Sequence, residues 1–227
     1  MNQHKRFIWI VTFLVLSILA CQVGGLGGSA TISGSGNVVS QDFDLIDFDQ
    51  VDISHAFNVG ITPDESYSVI VRVDDNLVEY LQVVKQGNTL KIGLKPNFGY
   101  TVRNTTLNAE VTMPVLTRLE ASGSSDITAS GFDSDQAFQV RLSGASSAVL
   151  SGSAGEVTVD ASGSSDADLG EFPVGDARID ASGSSTVTVN VSGRLDVDAS
   201  GSSDVFYLGN PTLGSIDTSG GSSVEPK

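Results

Sequence analysis

The stretch EASGSSDITASGF, residues 120–132, contains a phrase that returns throughout the C-terminal half of the chain. ASGSSD occurs again at 161–166 and 199–204, and ASGSST occurs at 181–186. Aligned on the central glycine, the copies follow one another at intervals of about 20 residues, at Gly123, Gly144, Gly163, Gly183, Gly201 and Gly220. A near-constant period of this length is typical of a solenoid, in which each repeat forms one coil.

Each position of the repeat holds one kind of side chain. An aliphatic residue stands four positions before the glycine in all six copies: Leu119, Val140, Val159, Ile179, Val197 and Ile216. Serine stands one before and two after the glycine, and an apolar residue stands four after it. Apolar and polar positions alternate with a period of two, which predicts short strands with one buried face. The serines and the glycine between them predict a corner, because glycine tolerates a positive φ.

The alignment of like residues distinguishes between two β folds. A hairpin meander would place successive copies antiparallel, so identical phrases would not lie side by side. A parallel β-helix stacks its coils at about 4.8 Å and turns each column into a ladder of like residues. We therefore predict an all-β fold, a right-handed parallel β-helix with about 20 residues per coil in the C-terminal half. The serine hydroxyls are expected to bond to the backbone of the neighbouring coil.

Residues 37–118 lack the phrase but also have the pattern of β-strands. The segment 74–81 is the one plausible helical turn, with Asp74 or Asp75 as N-cap, and Gly87-Asn88 is a tight turn before a strand. Alternating or strand-like segments lie at 48–54, 57–62, 67–73, 85–94 and 107–114. No linker separates this part from the repeats. We expect less regular coils here that cover one end of the solenoid, because an open end is an unpaired edge.

The N-terminus has the layout of a secretory signal, with Lys5 and Arg6 before an apolar run. Its end, ILAC, resembles a bacterial lipobox, which predicts lipidation of Cys21; an ordinary signal with an incidental cysteine is the alternative. The predicted organisation is a signal peptide at 1–20, the lipidated cysteine with a flexible Gly/Ser tether at 21–36, less regular β coils with a cap at 37–118, and regular repeats at 119–227.

The composition is strongly acidic. The formal net charge is −15, and removal of Lys5 and Arg6 with the signal leaves −17. Such a surface repels nucleic acid and anionic lipid, so we expect no nucleic-acid partner.

The chain offers little for catalysis. His55 is the only histidine outside the signal, no G-x-S-x-G occurs, and no His and Cys cluster suits zinc. Polysaccharide lyases built on a β-helix need basic residues, and the repeats hold few. We predict that the protein is not an enzyme.

Two files of carboxylates lie on the repeats. Asp160, Asp180, Asp198 and Asp217 stand three before the glycine in consecutive copies, and we call them the acidic ladder. A sparser file consists of Asp126, Asp166 and Asp204. Stacked like charges repel, and Ca²⁺ bound by several oxygens would relieve this. The acidic ladder is therefore a candidate metal site, and a solvated charged face is the alternative.

Three segments together resemble the bacterial head GIN domain family, whose members are labelled putative auto-transporter adhesins. They are GNVVSQDFDLIDFDQVDISHAFNVGIT (36–62), DDNLVEYLQVVKQGNTLKIGL (74–94) and VTMPVLTRLEASGSSDI (111–127). The similarity runs from about Gly36 to Asp217, in order and spacing. It implies an exported or lipid-anchored envelope protein with a β-helical body, and it supplies no functional residues.

These observations favour a non-enzymatic cell-envelope lipoprotein with a β-helical adhesin or interaction domain. Its expected partners are the membrane, through the lipid anchor, and a cell-surface polysaccharide or an envelope protein. The expected location is the bacterial cell envelope, facing the outside or the periplasm. The alternatives are a carbohydrate-active β-helix enzyme and a Ca²⁺-stabilised polysaccharide-binding module.

Overall fold

A computed structural model describes residues 30–95 and 100–227. The predicted signal peptide, Cys21 and the tether up to residue 29 lie outside the described residues. The chain divides into a small unit, residues 1–32 and 97–103, and a main unit, residues 33–96 and 104–227. The described residues of the small unit form a two-stranded sheet of β1, which runs over Ala30–Ser33 and so ends one residue past the unit, and β8 (Tyr100–Arg103). Within the described part of the chain no helix is long and apolar enough to cross a membrane.

The main unit is built almost entirely of strands. A single short 3₁₀ helix, Asp75–Tyr80, is found among its described residues. The strands are β2 (Val38–Asp42), β3 (Gln50–Ile53), β4 (Asn58–Pro63), β5 (Ser68–Asp74), β6 (Leu81–Gln86), β7 (Thr89–Leu94), β9 (Leu107–Met113), β10 (Arg118–Ala121), β11 (Asp126–Asp133), β12 (Ala137–Leu142), β13 (Ser147–Ala161), β14 (Asp166–Ala181), β15 (Thr186–Val191), β16 (Arg194–Ala199), β17 (Asp204–Gly209), β18 (Thr212–Thr218) and β19 (Ser223–Pro226).

The repeats form the predicted parallel β-solenoid, with about five turns and partners about 20 residues apart. On one side of the corner β10, β12, β13, β14, β16 and β18 stack in register, as in the pairs Val140 with Val159 and Val159 with Ile179. On the other side β11, β13, β14, β15, β17 and β19 stack in the same way. The prediction of a parallel β-helix is confirmed.

The stacking continues into a coil that lacks the phrase. Strands β3 and β4 lie beneath β10 and β11, with Val51 paired to Leu119 and Val59 paired to Ile127. Strands β7 and β9 lie beneath β3 and β4 in turn. The segment 50–61 is therefore a coil of the solenoid, although a long excursion of the chain separates it from the coil above.

The predicted strands of the N-terminal half are confirmed. Strands β6 and β7 form an antiparallel hairpin, the cap hairpin (Leu81–Leu94), that turns at Gly87 with φ 61°. Asp74 precedes the 3₁₀ helix but makes no side-chain capping bond. Its carboxylate is 1% exposed and instead accepts the backbone N–H groups of Gly36 at 2.8 Å and Thr106 at 2.7 Å.

The core consists of the aliphatic columns that the alignment predicts. Leu119, Val140, Val159 and Ile179 are all 0% exposed, and burial of each such side chain contributes about 1.5–3 kcal/mol. The columns lose their cover at the final coil: Leu195 is 0% exposed, whereas Leu213, its partner in β18, is 50% exposed.

The corner explains why glycine recurs. Gly163 has φ 80°, which L side chains rarely adopt, and a Cβ there would lie 2.5 Å from the carbonyl oxygen of Gly144 in the coil beneath. The adjacent N–H of Ser164 donates to that same oxygen at 2.7 Å. Gly144, Gly183 and Gly201 repeat this arrangement. Both the backbone conformation and the stacking of corner on corner therefore require glycine.

The serines of the corner have two different partners. Ser165 is 1% exposed, and its hydroxyl donates to the carbonyl of Ser162 within its own corner at 2.8 Å. The hydroxyl of Ser162 donates to the carbonyl of Leu142 in the coil beneath at 3.3 Å. Ser122 and Ser143 make the same bond to the coil beneath as Ser162 does. The buried serine after the glycine instead closes its own turn.

Candidate functional site

A groove of about 460 Å³ runs along the outer surface of the solenoid beside the corner. One set of lining side chains belongs to the column three before the glycine: Glu120, Arg141, Asp160, Asp180 and Asp198. A second set is the column of serines just before the glycine: Ser143, Ser162, Ser182 and Ser200. The buried column between the two sets also lines the groove: Ala121, Leu142, Ala161 and Ala181. We call this groove the ladder groove. Because every coil contributes the same two positions, the groove repeats its chemistry at about 4.8 Å.

The structure brings the acidic ladder together as a file. Asp160 pairs with Asp180, Asp180 with Asp198, and Asp198 with Asp217 on neighbouring strands. Asp217 extends the column beyond the residues that line the groove. In the other direction the same column continues through Arg141, Glu120, Asp52 and Lys91. The outer face therefore carries one unbroken column of charged side chains.

Charges in the first part of this column are paired, Lys91 with Asp52 inside the column and Glu120 with Arg118 two residues before it on the same strand. Lys91 lies 3.2 Å from Asp52, and Arg118 lies 2.7 Å from Glu120. A smaller cavity of about 160 Å³ lies among these same four residues. The column is neutralised here and has little charge to offer a ligand.

Pairing weakens toward the C-terminal end of the groove. The Arg141 guanidinium donates to Asp160 at 2.9 Å, and Arg178 lies 3.4 Å from Asp180. Asp198 is exposed and has no hydrogen-bond or ion-pair partner among the residues that the structure describes. The free negative charge is thus concentrated in the last coils.

The serine column changes in the same direction. The hydroxyls of Ser143 and Ser162 donate to carbonyls of the coils beneath, at 3.5 Å and 3.3 Å. The hydroxyls of Ser182 and Ser200 have no partner within the described ranges. Free hydroxyls and a free carboxylate therefore lie side by side around Asp198.

The predicted calcium site has no converging ligand set. Across residues 30–95 and 100–227, no group of three or more His, Cys, Asp or Glu residues is arranged to hold a metal ion. A straight file offers a cation two neighbouring carboxylates, whereas Ca²⁺ takes six to eight oxygens.

The sparser file lies in register on the other side of the corner. Asp126, Asp166 and Asp204 alternate there with Ser147 and Thr186. Burial raises the pKa of Asp166, Asp168 adds to this, and Lys227 opposes it. The file is interrupted, as the sequence indicates.

Asp196 joins two coils beside the acidic ladder. The Arg194 guanidinium donates to both of its oxygens at 2.6 Å, and the N–H of Ser215 in the next coil donates at 2.7 Å. These bonds, the one to Arg194 first, lower the pKa of Asp196 to about 2. The Asp196 carboxylate therefore has a structural role, because its hydrogen bonds connect two neighbouring coils.

His55 lies beside a serine but not in a catalytic arrangement. Its Nδ1 is 3.0 Å from the hydroxyl of Ser54, and it also accepts the backbone N–H of Leu94 at 3.2 Å. Burial lowers its pKa. A general base needs a free nitrogen facing its nucleophile, and this nitrogen is engaged with the backbone.

Sequence reasoning missed the first members of the charged column, Lys91 and Asp52. The signal is present in the segment QVDIS (50–54), which matches RLEAS (118–122) in its alternation of aliphatic and charged residues before a serine. Because this segment lacks the glycine of the repeated phrase, a search for the phrase does not find it.

Comparisons with known proteins agree with this architecture. The model of a family described as putative auto-transporter adhesin, head GIN domain, matches residues 47–211. A putative adhesin from Bacteroides fragilis has a similar crystal structure, with a TM-score of 0.70, 20% identity, and coverage of 86% of this chain and 100% of that one. A putative lipid binding protein from Parabacteroides distasonis has a TM-score of 0.53 and 18% identity, and the match covers 87% of this chain and 99% of that one. A putative adhesin from Parabacteroides merdae has a TM-score of 0.53 and 16% identity, and the match covers 88% of this chain and 100% of that one. No curated protein matches.

Proposed function

Because the chain belongs to the head GIN domain family of putative auto-transporter adhesins, we propose that it is a non-enzymatic lipoprotein of the bacterial cell envelope that binds a cell-surface polysaccharide. In this proposal Cys21 carries the lipid anchor. The ladder groove is the contact surface, and the polymer lies along the solenoid axis.

The observation that carries the proposal is the repeating chemistry of the groove. Its charged positions recur along five coils and its serine hydroxyls along four. A site with such a repeat suits an extended polymer better than a single small molecule. Carboxylates accept hydrogen bonds and serine hydroxyls both donate and accept, so the groove complements the hydroxyl groups of a sugar chain.

The charge of the groove narrows the class of polysaccharide. Asp180 and Asp198 lie at the end where pairing is weakest, and the whole chain carries a net charge of −15. An anionic polymer would be repelled along its length. The proposal is therefore for a neutral polysaccharide or one that carries amino groups.

A non-enzymatic role is supported by the state of the charged groups. Arg141 is bound to Asp160, and Nδ1 of His55 is bound to the backbone of Leu94. Neither group is positioned to transfer a proton to a ligand in the groove.

Binding is tested with the full-length chain in detergent on an array of purified polysaccharides: a neutral glucan, a neutral mannan, chitosan and polygalacturonate. We expect binding to a neutral or amino-bearing polymer that falls at least tenfold in the double variant Asp180→Asn, Asp198→Asn. Asp126→Asn, an exposed aspartate outside the groove, is the matched control. Equal binding by both variants would remove the groove from the proposal, and release of oligosaccharide would show an enzyme instead.

The anchor has a separate test. Cys21→Ala should move the protein from the membrane fraction to the soluble fraction of the cell envelope, because the acyl chains are lost. Metabolic labelling with a radioactive fatty acid should mark the wild type alone. Continued membrane retention of the variant would contradict lipidation without affecting the groove.

A further inference from the structure

His55 occupies the place of a corner glycine. Ile53 pairs with Ala121, which puts His55 directly beneath Gly123 in the stack. The backbone of His55 has φ 78°, close to the 82° of Gly123, and its carbonyl accepts the N–H of Ser124 in the coil above. A left-handed conformation is unfavourable for an L-residue. A histidine here therefore needs a side chain that compensates for the conformation.

The imidazole supplies a hydrogen bond that no protonated ring can make. The N–H of Leu94, the last residue of the cap hairpin, donates to Nδ1 at 3.2 Å. Nδ1 must lack a proton to accept it, so the ring is neutral with its proton on Nε2. An imidazolium would point a second donor at the Leu94 N–H. The Ser54 hydroxyl, 3.0 Å away, can rotate to accept from such a ring, but the backbone amide cannot.

We propose that His55 is an acid-sensitive joint between the cap hairpin and the coil of residues 50–61, which we call the first coil. Protonation of the ring removes the acceptor of Leu94 and releases the C-terminal end of β7. The rest of the solenoid keeps its contacts, because every corner above His55 is built from glycine and backbone bonds that do not titrate.

The surroundings favour the neutral ring. Burial is the main cause that lowers the pKa of His55 from its ordinary value of 6.5, and the backbone of Ser54 opposes it. Because the folded-state pKa is lower than the unfolded one, the joint contributes full stability above about pH 6.5 and loses it as the pH falls from there to the folded pKa.

Charged groups on the neighbouring elements are already engaged with others. On β7 and β3, Lys91 and Asp52 pair with each other, and the Lys95 ammonium donates to the carbonyl of Glu79. On the coil above, Glu120 pairs with Arg118, while Asp126 is exposed to solvent. None of them is among the causes of the shift at His55.

The test uses NMR on the full-length chain in detergent, between about pH 5 and pH 8. Ring nitrogen shifts report the tautomer of His55, and spectra of His55→Asn identify any histidine signal that does not come from His55. Amide exchange at Leu94 reports the joint, and exchange at Val159 reports the solenoid. We expect a neutral Nε2–H ring above its pKa and a loss of Leu94 protection of up to about tenfold per pH unit during protonation, with Val159 unchanged.

His55→Asn is the matched variant. Asparagine tolerates the left-handed conformation and offers an amide oxygen that does not titrate. Its Leu94 protection should not depend on pH. A constant Leu94 protection through the ring titration of the wild type would overturn the proposal, and so would the same acid loss in His55→Asn or a proton on Nδ1 at neutral pH. The wild-type titration remains decisive if the variant does not fold.

Discussion

The first coil, residues 50–61, and the later coils build the same corner from different residues. Both place one residue at a φ near 80°, His55 in the first coil and glycine in the others. Above the first coil, the carbonyl of the corner beneath occupies the space that a Cβ would need, so only glycine fits. Beneath His55 lies the C-terminal end of β7 and not another corner. There the imidazole accepts the backbone N–H of Leu94. The phrase S-G-x-S thus reflects the stacking of corners as well as the turn itself.

The largest expected effect comes from a methyl group at a stacked corner. Gly163→Ala places Cβ at φ 80° and 2.5 Å from the carbonyl oxygen of Gly144. Conformational strain of about 1–2 kcal/mol and disruption of the corner hydrogen bond, about 1–3 kcal/mol, should together lower the free energy of unfolding by about 2–5 kcal/mol. Urea denaturation followed by circular dichroism measures this.

Gly36→Ala separates the two causes. Gly36 has the same φ of 80°, but no atom of the described residues lies within 4 Å of the added Cβ. We expect a loss of only about 1–2 kcal/mol, from conformational strain alone. Equal losses in the two variants would show that stacking does not require glycine and that the comparison of corners is mistaken.

A buried corner serine comes next. Ser165→Ala removes a hydroxyl that is 1% exposed and leaves the carbonyl of Ser162 without that donor. The expected loss of unfolding free energy is about 1–2 kcal/mol. Ser164→Ala, at the exposed neighbouring position, should stay within about 0.5 kcal/mol of the wild type in the same denaturation experiment. A larger effect at Ser164 than at Ser165 would contradict the assignment.

Asp196 gives a pH-dependent effect. Its folded pKa of about 2 lies below the ordinary 3.8, so its contribution is present above about pH 3.8 and is lost as the pH falls from 3.8 toward 2. Thermal unfolding should show a steeper fall in stability through this window for the wild type than for Asp196→Asn. Asp198→Asn, which removes an unpartnered carboxylate, is the control and should keep the wild-type slope.

Calcium should have the smallest effect. Arg141 and Arg178 already pair with Asp160 and Asp180, and the ladder is straight, so it offers no shell of oxygens. We expect the same melting temperature in chelator and in millimolar calcium. A rise with calcium that disappears in Asp198→Asn would restore the Ca²⁺-stabilised module as an explanation of the ladder.

Much of the fold was accessible from the sequence because columns of like residues identify a parallel stack. The aliphatic columns, the corner and the cap hairpin turn at Gly87 could all be predicted from local patterns. The strands of the coil at 50–61 were predicted, but their register with the repeats was not, because His55 stands where the repeats have glycine. The column of aspartates in the acidic ladder could be predicted from the sequence. Its ion pairs could not, because Arg141 reaches Asp160 on the neighbouring strand and Arg178 reaches Asp180 along its own strand.

The sequence alone determined that identical corners stack, because one corner phrase recurs with a period of about 20 residues and parallel coils bring its like residues side by side. Only the tertiary structure decided where that stack begins. Strand β10 rests on β3 and not on the strand that precedes it in the chain, so the charged column extends back to Asp52 and Lys91. The physical reason is that strand pairing depends on edges that meet in space, and local residue patterns do not record which distant edge is free to pair.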